Sequence, residues 1–253
     1  MEEQKYFNVK IQFDKEIFDN TIASTIQNGG KGYVCVIESN NLTVANNVPQ
    51  FMEVVNNSLI NSCDGSVIAK MLGHIHGKDF DSYIGTDIFT KYTDKKEYTH
   101  YFLGNTPEIL QALKEALMQK NETMGNMQYK TLPFATIDQF DYQGIAQDIN
   151  EHNPDFIWVS LGAPKQEFFM SRLEPFLNRG VMFGVGAAFN FVAGVGNVKR
   201  APKWMLKLRL EWLFRAFNEP RKNVPRYWGF IKILPKLIRS ERRKVSISKS
   251  ITS

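Results

Sequence analysis

The densest chemical signal in the chain is Val159-Ser160-Leu161-Gly162-Ala163-Pro164-Lys165-Gln166-Glu167. A hydrophobic run ending at Gly162 reads as a strand, and Pro164 suits the first turn of a helix, where a missing N–H costs nothing. Such a turn directs backbone N–H groups and the positive helix end outward, which suits a phosphate or a sugar. Gln166 can donate and accept, matching a sugar hydroxyl or a uracil edge. The same turn also occurs in α/β units that bind nothing there. Asp64, followed by Gly65, is a lone carboxylate at a turn. Oriented by neighbouring amides it could take the proton of an attacking hydroxyl, although an Asp-Gly pair also makes ordinary turns.

Other residues are more ambiguous. Gly184-Val185-Gly186-Ala187-Ala188-Phe189 has glycines spaced as in a dinucleotide fingerprint, with Phe189 where a third small residue belongs; close backbone approach to a phosphate and a plain glycine turn both fit. Asp79-Phe80-Asp81 could hold a divalent cation beneath a sugar-nucleotide diphosphate, but a solvated loop has the same pattern and is preferred. His74, His76, His100 and His152 show neither metal nor triad spacing. Towards the C-terminus, Arg200, Arg215, Arg221 and Arg226 recur beside aromatic residues. Their planar forks bind diphosphate oxygens in pairs, and lipid headgroups would serve them equally well.

These residues need elements to hold them. Apolar and alternating runs predict strands at Tyr33–Glu38, His100–Gly104, Phe156–Gly162 and Val181–Gly186, with weaker ones at Val9–Phe13 and Thr131–Ala135. Helical patterns fall between them. One opens at Val48-Pro49 and runs through Ser62; Thr106-Pro107-Glu108 starts another, Ile109–Lys120; Gln143–His152 and Lys165–Asn178 follow. The alternation predicts an α/β fold: a Rossmann-like, mostly parallel sheet flanked by helices, with a basic helical C-terminal appendage. The composition shift at Gly194-Val195-Gly196 divides the chain into a body, 1–195, and the appendage, 196–253.

The 253 residues carry a net charge of +5, but unevenly. Residues 199–253 hold 16 Lys and Arg against 3 acids, and residues 1–198 hold 15 against 23. A basic tail on an acidic body points to an anionic partner such as a membrane surface, nucleic acid or a phosphorylated ligand. Trp204–Phe217 and Tyr227–Ile238 mix basic and apolar residues as an interfacial helix does, at about 1 kcal/mol per basic residue near anionic lipid. The same aromatics could instead pack on the body. With no apolar run near the roughly 18 residues of a membrane span and a charged N-terminus, neither secretion nor membrane integration is expected. Cys35 and Cys63 suggest neither a disulfide scaffold nor a zinc site, so a reducing compartment is the default.

Taken in order, Asn41, Asp64-Gly65, Gly85-x-Asp87, Phe102-Leu103-Gly104, Gly162 to Glu167, Gly184 to Gly194, Arg200-Ala201-Pro202, Glu211-Trp212 with Arg215, and Glu219-Pro220 with Arg226-Tyr227 resemble the WecG/TagA/CpsF family of glycosyltransferases. The resemblance runs from about Tyr33 to Trp228. It implies an inverting transfer of a sugar, N-acetylmannosamine or another hexose, from a UDP-sugar to a sugar on undecaprenyl diphosphate, in surface polysaccharide or wall polymer synthesis. It further implies Asp64 as the base and Ser39, Asn41, Gly104, Gln166 and Gly186 as substrate-binding residues. Arg200, Arg215, Arg221 and Arg226 would belong to an appendage that closes over the site and meets the membrane. No metal or other cofactor is implied. The expected location is cytoplasmic, peripheral on the inner face of the cell membrane, with self-association left open.

Two positions depart from the family pattern. Ser82 stands near where a pocket arginine is expected, and Asn190 replaces the Asp of a Gly-Ala-Phe-Asp motif. A lost arginine contact to phosphate would cost about 1.5–3 kcal/mol. These departures motivate a rival reading, a non-catalytic nucleotide-sugar-binding protein that docks on membranes. Nucleic-acid binding through the tail is disfavoured, since no recognition motif accompanies the charge.

Overall fold

The computed structural model describes residues 4–195, 202, 205 and 211–252. Among them, six parallel strands form one sheet in the order β4-β3-β8-β7-β5-β6, where β3 is Lys31–Ile37, β4 Ile60–Cys63, β5 His100–Gly104, β6 Gln128–Lys130, β7 Phe156–Ser160 and β8 Gly180–Gly184. A short antiparallel pair, β1 (Lys5–Tyr6) with β2 (Val9–Lys10), precedes it. The predicted α/β class is therefore the observed one.

The central strands are buried on both sides, so alternate side chains feed two cores. Ile157 and Val159 of β7 face one core, with Cys35 and Ile37 of β3; Phe156 and Trp158 face the other, with Phe183 of β8. The first core is covered by α2 (Ser39–Asn47), α3 (Pro49–Asn56), α4 (Ser66–His76), α7 (Tyr142–His152) and α8 (Lys165–Leu173). The second is covered by α1 (Lys15–Gln27), α5 (Gly85–Thr93), α6 (Pro107–Met118) and α9 (Ala188–Ala193). The helix starts follow local chemistry. Asp14 accepts from the Glu16 and Ile17 N–H groups, and Thr106 caps α6 with Pro107 in its first turn, as its sequence predicts.

Near the C-terminus, α10 (Glu211–Asn218) leads into α11 (Pro220–Thr252), 33 residues long. Phe230 and Leu237 of α11 are buried in the first core, against α2 and α4. Phe217, Val224, Trp228 and Ile231 are exposed. The appendage thus packs on the body through one face and leaves apolar residues of another face exposed. No helix among the described residues is long and apolar enough to cross a membrane.

Several boundaries differ from expectation. The helix opening at Pro49 stops at Asn56, and Ile60–Cys63 is a strand. Its Asn61 is buried yet satisfied: the side-chain amide donates to the Lys10 and Val55 carbonyls and accepts from the Cys35 N–H. A polar residue at a core position hid this strand. The strand expected at Thr131–Ala135 lies earlier, at Gln128–Lys130; Pro133 has no N–H to extend a ladder. Only Val9–Lys10 of the Val9–Phe13 run is a strand.

Candidate functional site

The strand order opens a crevice. From β3 the chain enters α2 on one face of the sheet, while from neighbouring β8 it enters α9 on the other. Where adjacent connections part in this way, the carboxyl edge of a parallel sheet is left concave, which is where such sheets bind ligands. A cleft lies there, lined by residues from the ends of β3, β4, β7 and β8 and roofed by Glu219, Asn223, Arg226 and Tyr227.

Asp64 enters from the end of β4 and is half-buried. Its backbone N–H donates to the Ile37 carbonyl at 2.9 Å, fixing the turn, and its Oδ1 accepts from the Gly85 N–H at 2.8 Å. A carboxylate held by a backbone donor on a rigid strand end is oriented before a substrate arrives.

On the opposite wall, Gln166 is buried and its amide is committed. Its Oε1 accepts from the N–H groups of Gly162 and Gly186, each at 3.1 Å, and its Nε2 donates to Glu167 at 3.2 Å. Both glycines have positive φ, +76° and +51°, open to glycine without a steric cost. Gln166 therefore staples the turns after β7 and β8 together. Hydrogen-bonding capacity is legible in a glutamine; a partner on the turn after the neighbouring strand is not.

Asn41 is also buried in the cleft wall. It accepts from the Glu38 N–H at 3.2 Å and donates to Glu167 Oε1 at 2.9 Å. Glu167, unassigned by sequence reasoning, is the common acceptor of both amides and is fully buried, its Oε2 without a hydrogen-bond partner among the described residues. Burial pushes its pKa up to about 7, its hydrogen bonds opposing the shift.

Ser39 and Gly186 line the same cleft, as does Arg226 from α11. Gly104 does not: at φ +98° it packs on the next strand, where a Cβ would lie 2.7 Å from the Ser160 carbonyl oxygen. Arg221 is exposed and lines no part of the cleft. Arg200 and the side chain of Arg215 lie outside the described residues. Asn223 went unnoticed, although it lies on one helical stripe with Glu219, Arg226 and Tyr227. Among the described lining residues the charged groups are Glu38, Asp64, Glu219 and Arg226. Asp79 instead pairs with Lys70 at 2.7 Å. Asn190 accepts from Asn105, whose amide also reaches Ser160 Oγ.

Comparison with known proteins adds independent findings. A family model described as "Glycosyl transferase WecG/TagA/CpsF family" matches residues 5–246. A Bacillus spizizenii protein named N-acetylglucosaminyldiphosphoundecaprenol N-acetyl-beta-D-mannosaminyltransferase is 29% identical over 166 residues, 62% of each chain. A Bacillus subtilis protein of the same name is 38% identical over 88 residues, and there the match spans 34% of the relative's length. One from Staphylococcus aureus strain MW2, again of that name, is 26% identical over 243 residues, 89% of this chain and 91% of the relative.

Proposed function

Because the chain belongs to the glycosyl transferase WecG/TagA/CpsF family, we propose that it transfers a hexose, N-acetylmannosamine or a close relative, from a UDP-sugar to a sugar carried on undecaprenyl diphosphate, inverting the anomeric carbon. The names of the relatives support this acceptor class. The observation that carries the reading is Asp64, a carboxylate fixed by the Gly85 amide where the cleft meets the carboxyl edge of the sheet.

In this reading Asp64 takes the proton of the acceptor hydroxyl as that oxygen bonds to the anomeric carbon. The bond from that carbon to the diphosphate breaks in the same displacement, and UDP departs with the electron pair. Single displacement from the opposite face gives inversion. Arg226 lines the cleft where it can offset charge on the leaving diphosphate. Arg200 and Arg215 are the further cations proposed for that task. The proposed reaction needs no divalent cation, and chelation with EDTA should leave its rate unchanged.

We further propose that the protein works at the inner face of the cell membrane. Support comes from the exposed Val224, Trp228 and Ile231 of α11, spaced by four and three residues and so sharing one helical face, with Phe217 exposed on α10 before them. The Lys232 ammonium lies 5.7 Å from the Trp228 ring centre on the same helix. Such a mixture of aromatic and basic residues suits the headgroup region of anionic lipid.

The test is UDP release by the full chain with a panel of UDP-sugars and a short-chain polyprenyl-diphosphate-linked N-acetylglucosamine. Acceptor-dependent release with one donor is expected, and the product linkage should be inverted. Release no faster than background hydrolysis across the panel would favour the rival reading, a nucleotide-sugar-binding protein without turnover.

A further inference from the structure

We propose that Glu167 is a positioning residue of the donor cleft: its buried carboxyl locks the orientation of the Gln166 and Asn41 amides as the shared acceptor of both NH2 groups, and thereby helps hold the two glycine turns beside the nucleotide sugar. The cleft's role as donor site rests on the function proposed above; the amide geometry does not.

A side-chain amide is nearly symmetric in shape, so its orientation is decided by its partners. Gln166 has two backbone N–H groups on one side, from Gly162 and Gly186, and Glu167 Oε1 on the other. The two donors and the acceptor favour the same orientation, NH2 towards Glu167 and oxygen towards the glycines. Without the acceptor the NH2 loses its partner and the amide is held by the two backbone donors alone. Asn41 is held by the same logic: its oxygen faces the Glu38 N–H and its NH2 faces Glu167 Oε1. One carboxyl oxygen therefore links, through two amides, the start of α2, the start of α8 and the turns after β7 and β8.

Packing alone does not account for an acid here. Glu167 has no exposed surface, and its Oε2 has no partner among the described residues, so an apolar side chain would fill the site without a desolvation cost. Among the described residues, the titratable groups facing it are Cys35 of β3 and Glu38 ahead of α2. The Cys35 thiol is itself held neutral by burial, and the charge of Glu38 favours the protonated acid. Ionisation of Glu167 near neutral pH would then strengthen its acceptance from both amides at once.

The experiment has two arms on the full chain. In the first, the side-chain NH2 resonances of Gln166 and Asn41 are followed by 15N NMR from pH 5 to 9. They should shift together with a common midpoint near pH 7 in the wild type and show no such step in Glu167→Gln. Resonances that titrate alike in both proteins, or in neither, overturn the proposal. In the second arm, UDP binding is measured by calorimetry. Glu167→Leu should bind about tenfold more weakly, the scale of one lost hydrogen-bonded contact, and Glu167→Gln, which keeps an acceptor oxygen, should recover most of that loss. Equal losses in both variants contradict orientation by an acceptor. A wild type that binds no UDP removes the donor-site reading, while the NMR arm still decides the amide geometry. If Glu167→Leu does not fold, the NMR arm and Glu167→Gln decide the proposal: UDP binding by that variant at near wild-type strength is the expected result, and a tenfold loss is the contrary one.

Discussion

Asn105, Ser160, Asn190 and Gly186 form a chain of hydrogen bonds across the carboxyl edge of the sheet. Asn105, in a left-handed conformation at φ 68°, donates to Ser160 Oγ at 3.0 Å and to Asn190 Oδ1 at 3.1 Å; Ser160 in turn donates to the Gly186 carbonyl at 2.7 Å. This network explains the tolerance of asparagine where the family pattern has aspartate, because the contact uses only an acceptor oxygen. An aspartate would also lie in the first turn of α9, where negative charge is favoured. Asn190→Asp should therefore leave the melting temperature within a few degrees of wild type, whereas Asn190→Leu should cost about 1–3 kcal/mol by stranding the Asn105 amide; thermal and urea unfolding would check both. Glu167 gives a prediction of opposite character. Its folded pKa of about 7 stands above the ordinary 4.5, so the folded state keeps a proton that the unfolded chain releases. The resulting stability is present in full below about pH 4.5 and is lost as pH rises to about 7. The melting temperature of Glu167→Gln, measured against wild type, should gain progressively from pH 5 to pH 8, and a constant difference would be the contrary result.

At the scale of elements, legibility followed the consistency of side-chain pattern. β3, β5, β7 and β8 are apolar runs of five to seven residues bounded by turn residues, and their positions were readable. β4 was not, because Asn61 and Ser62 are polar residues buried inside the sheet. α2 was missed for a related reason: buried Asn40 and Asn41 interrupt its apolar face and serve the cleft instead. In the site, Asp64 and Gln166 were legible by residue type at turns, whereas the Gly85 N–H that orients Asp64 is 21 positions away and the Gly186 N–H that engages Gln166 is 20 away. Contacts of that kind come from strand order, which spacing does not encode. α11 illustrates a readable pattern with two faces, since one buries Phe230 and Leu237 and another exposes Trp228 and Ile231. Replacing Trp228 and Ile231 together with serine should leave the melting temperature nearly unchanged and reduce co-sedimentation with anionic vesicles at least severalfold. Undiminished sedimentation would detach this face from the membrane.

On the scale of the whole molecule, the long helix joins the cleft to a distant anchor. Glu241 is buried and accepts from the Phe7 N–H at 3.0 Å and from Lys244 at 3.1 Å, and it lies 3.2 Å from His76 Nε2 of α4. Fifteen residues, or about 22 Å of helix, separate this anchor from Arg226 over the cleft. Glu241→Ala leaves a buried N–H without its acceptor; it should lower stability by about 1–3 kcal/mol and hasten tryptic cleavage within 239–244, and unchanged cleavage would show that the anchor lies elsewhere. The same arrangement gives meaning to the charge asymmetry. A basic helix lies over an acidic body, with Arg226 among the carboxylates of Glu38, Asp64 and Glu219; on the proposed function, this would let an anionic diphosphate and a proton-accepting acid share one cleft. The central claim is that Asp64 is that acid. It is tested most directly by single-turnover transfer with Asp64→Asn, a UDP-sugar donor and a lipid-diphosphate-linked acceptor. The rate should fall at least ~100-fold, as expected for loss of a general base, while UDP binding stays close to that of the wild type. Transfer within a few-fold of wild type would contradict the account.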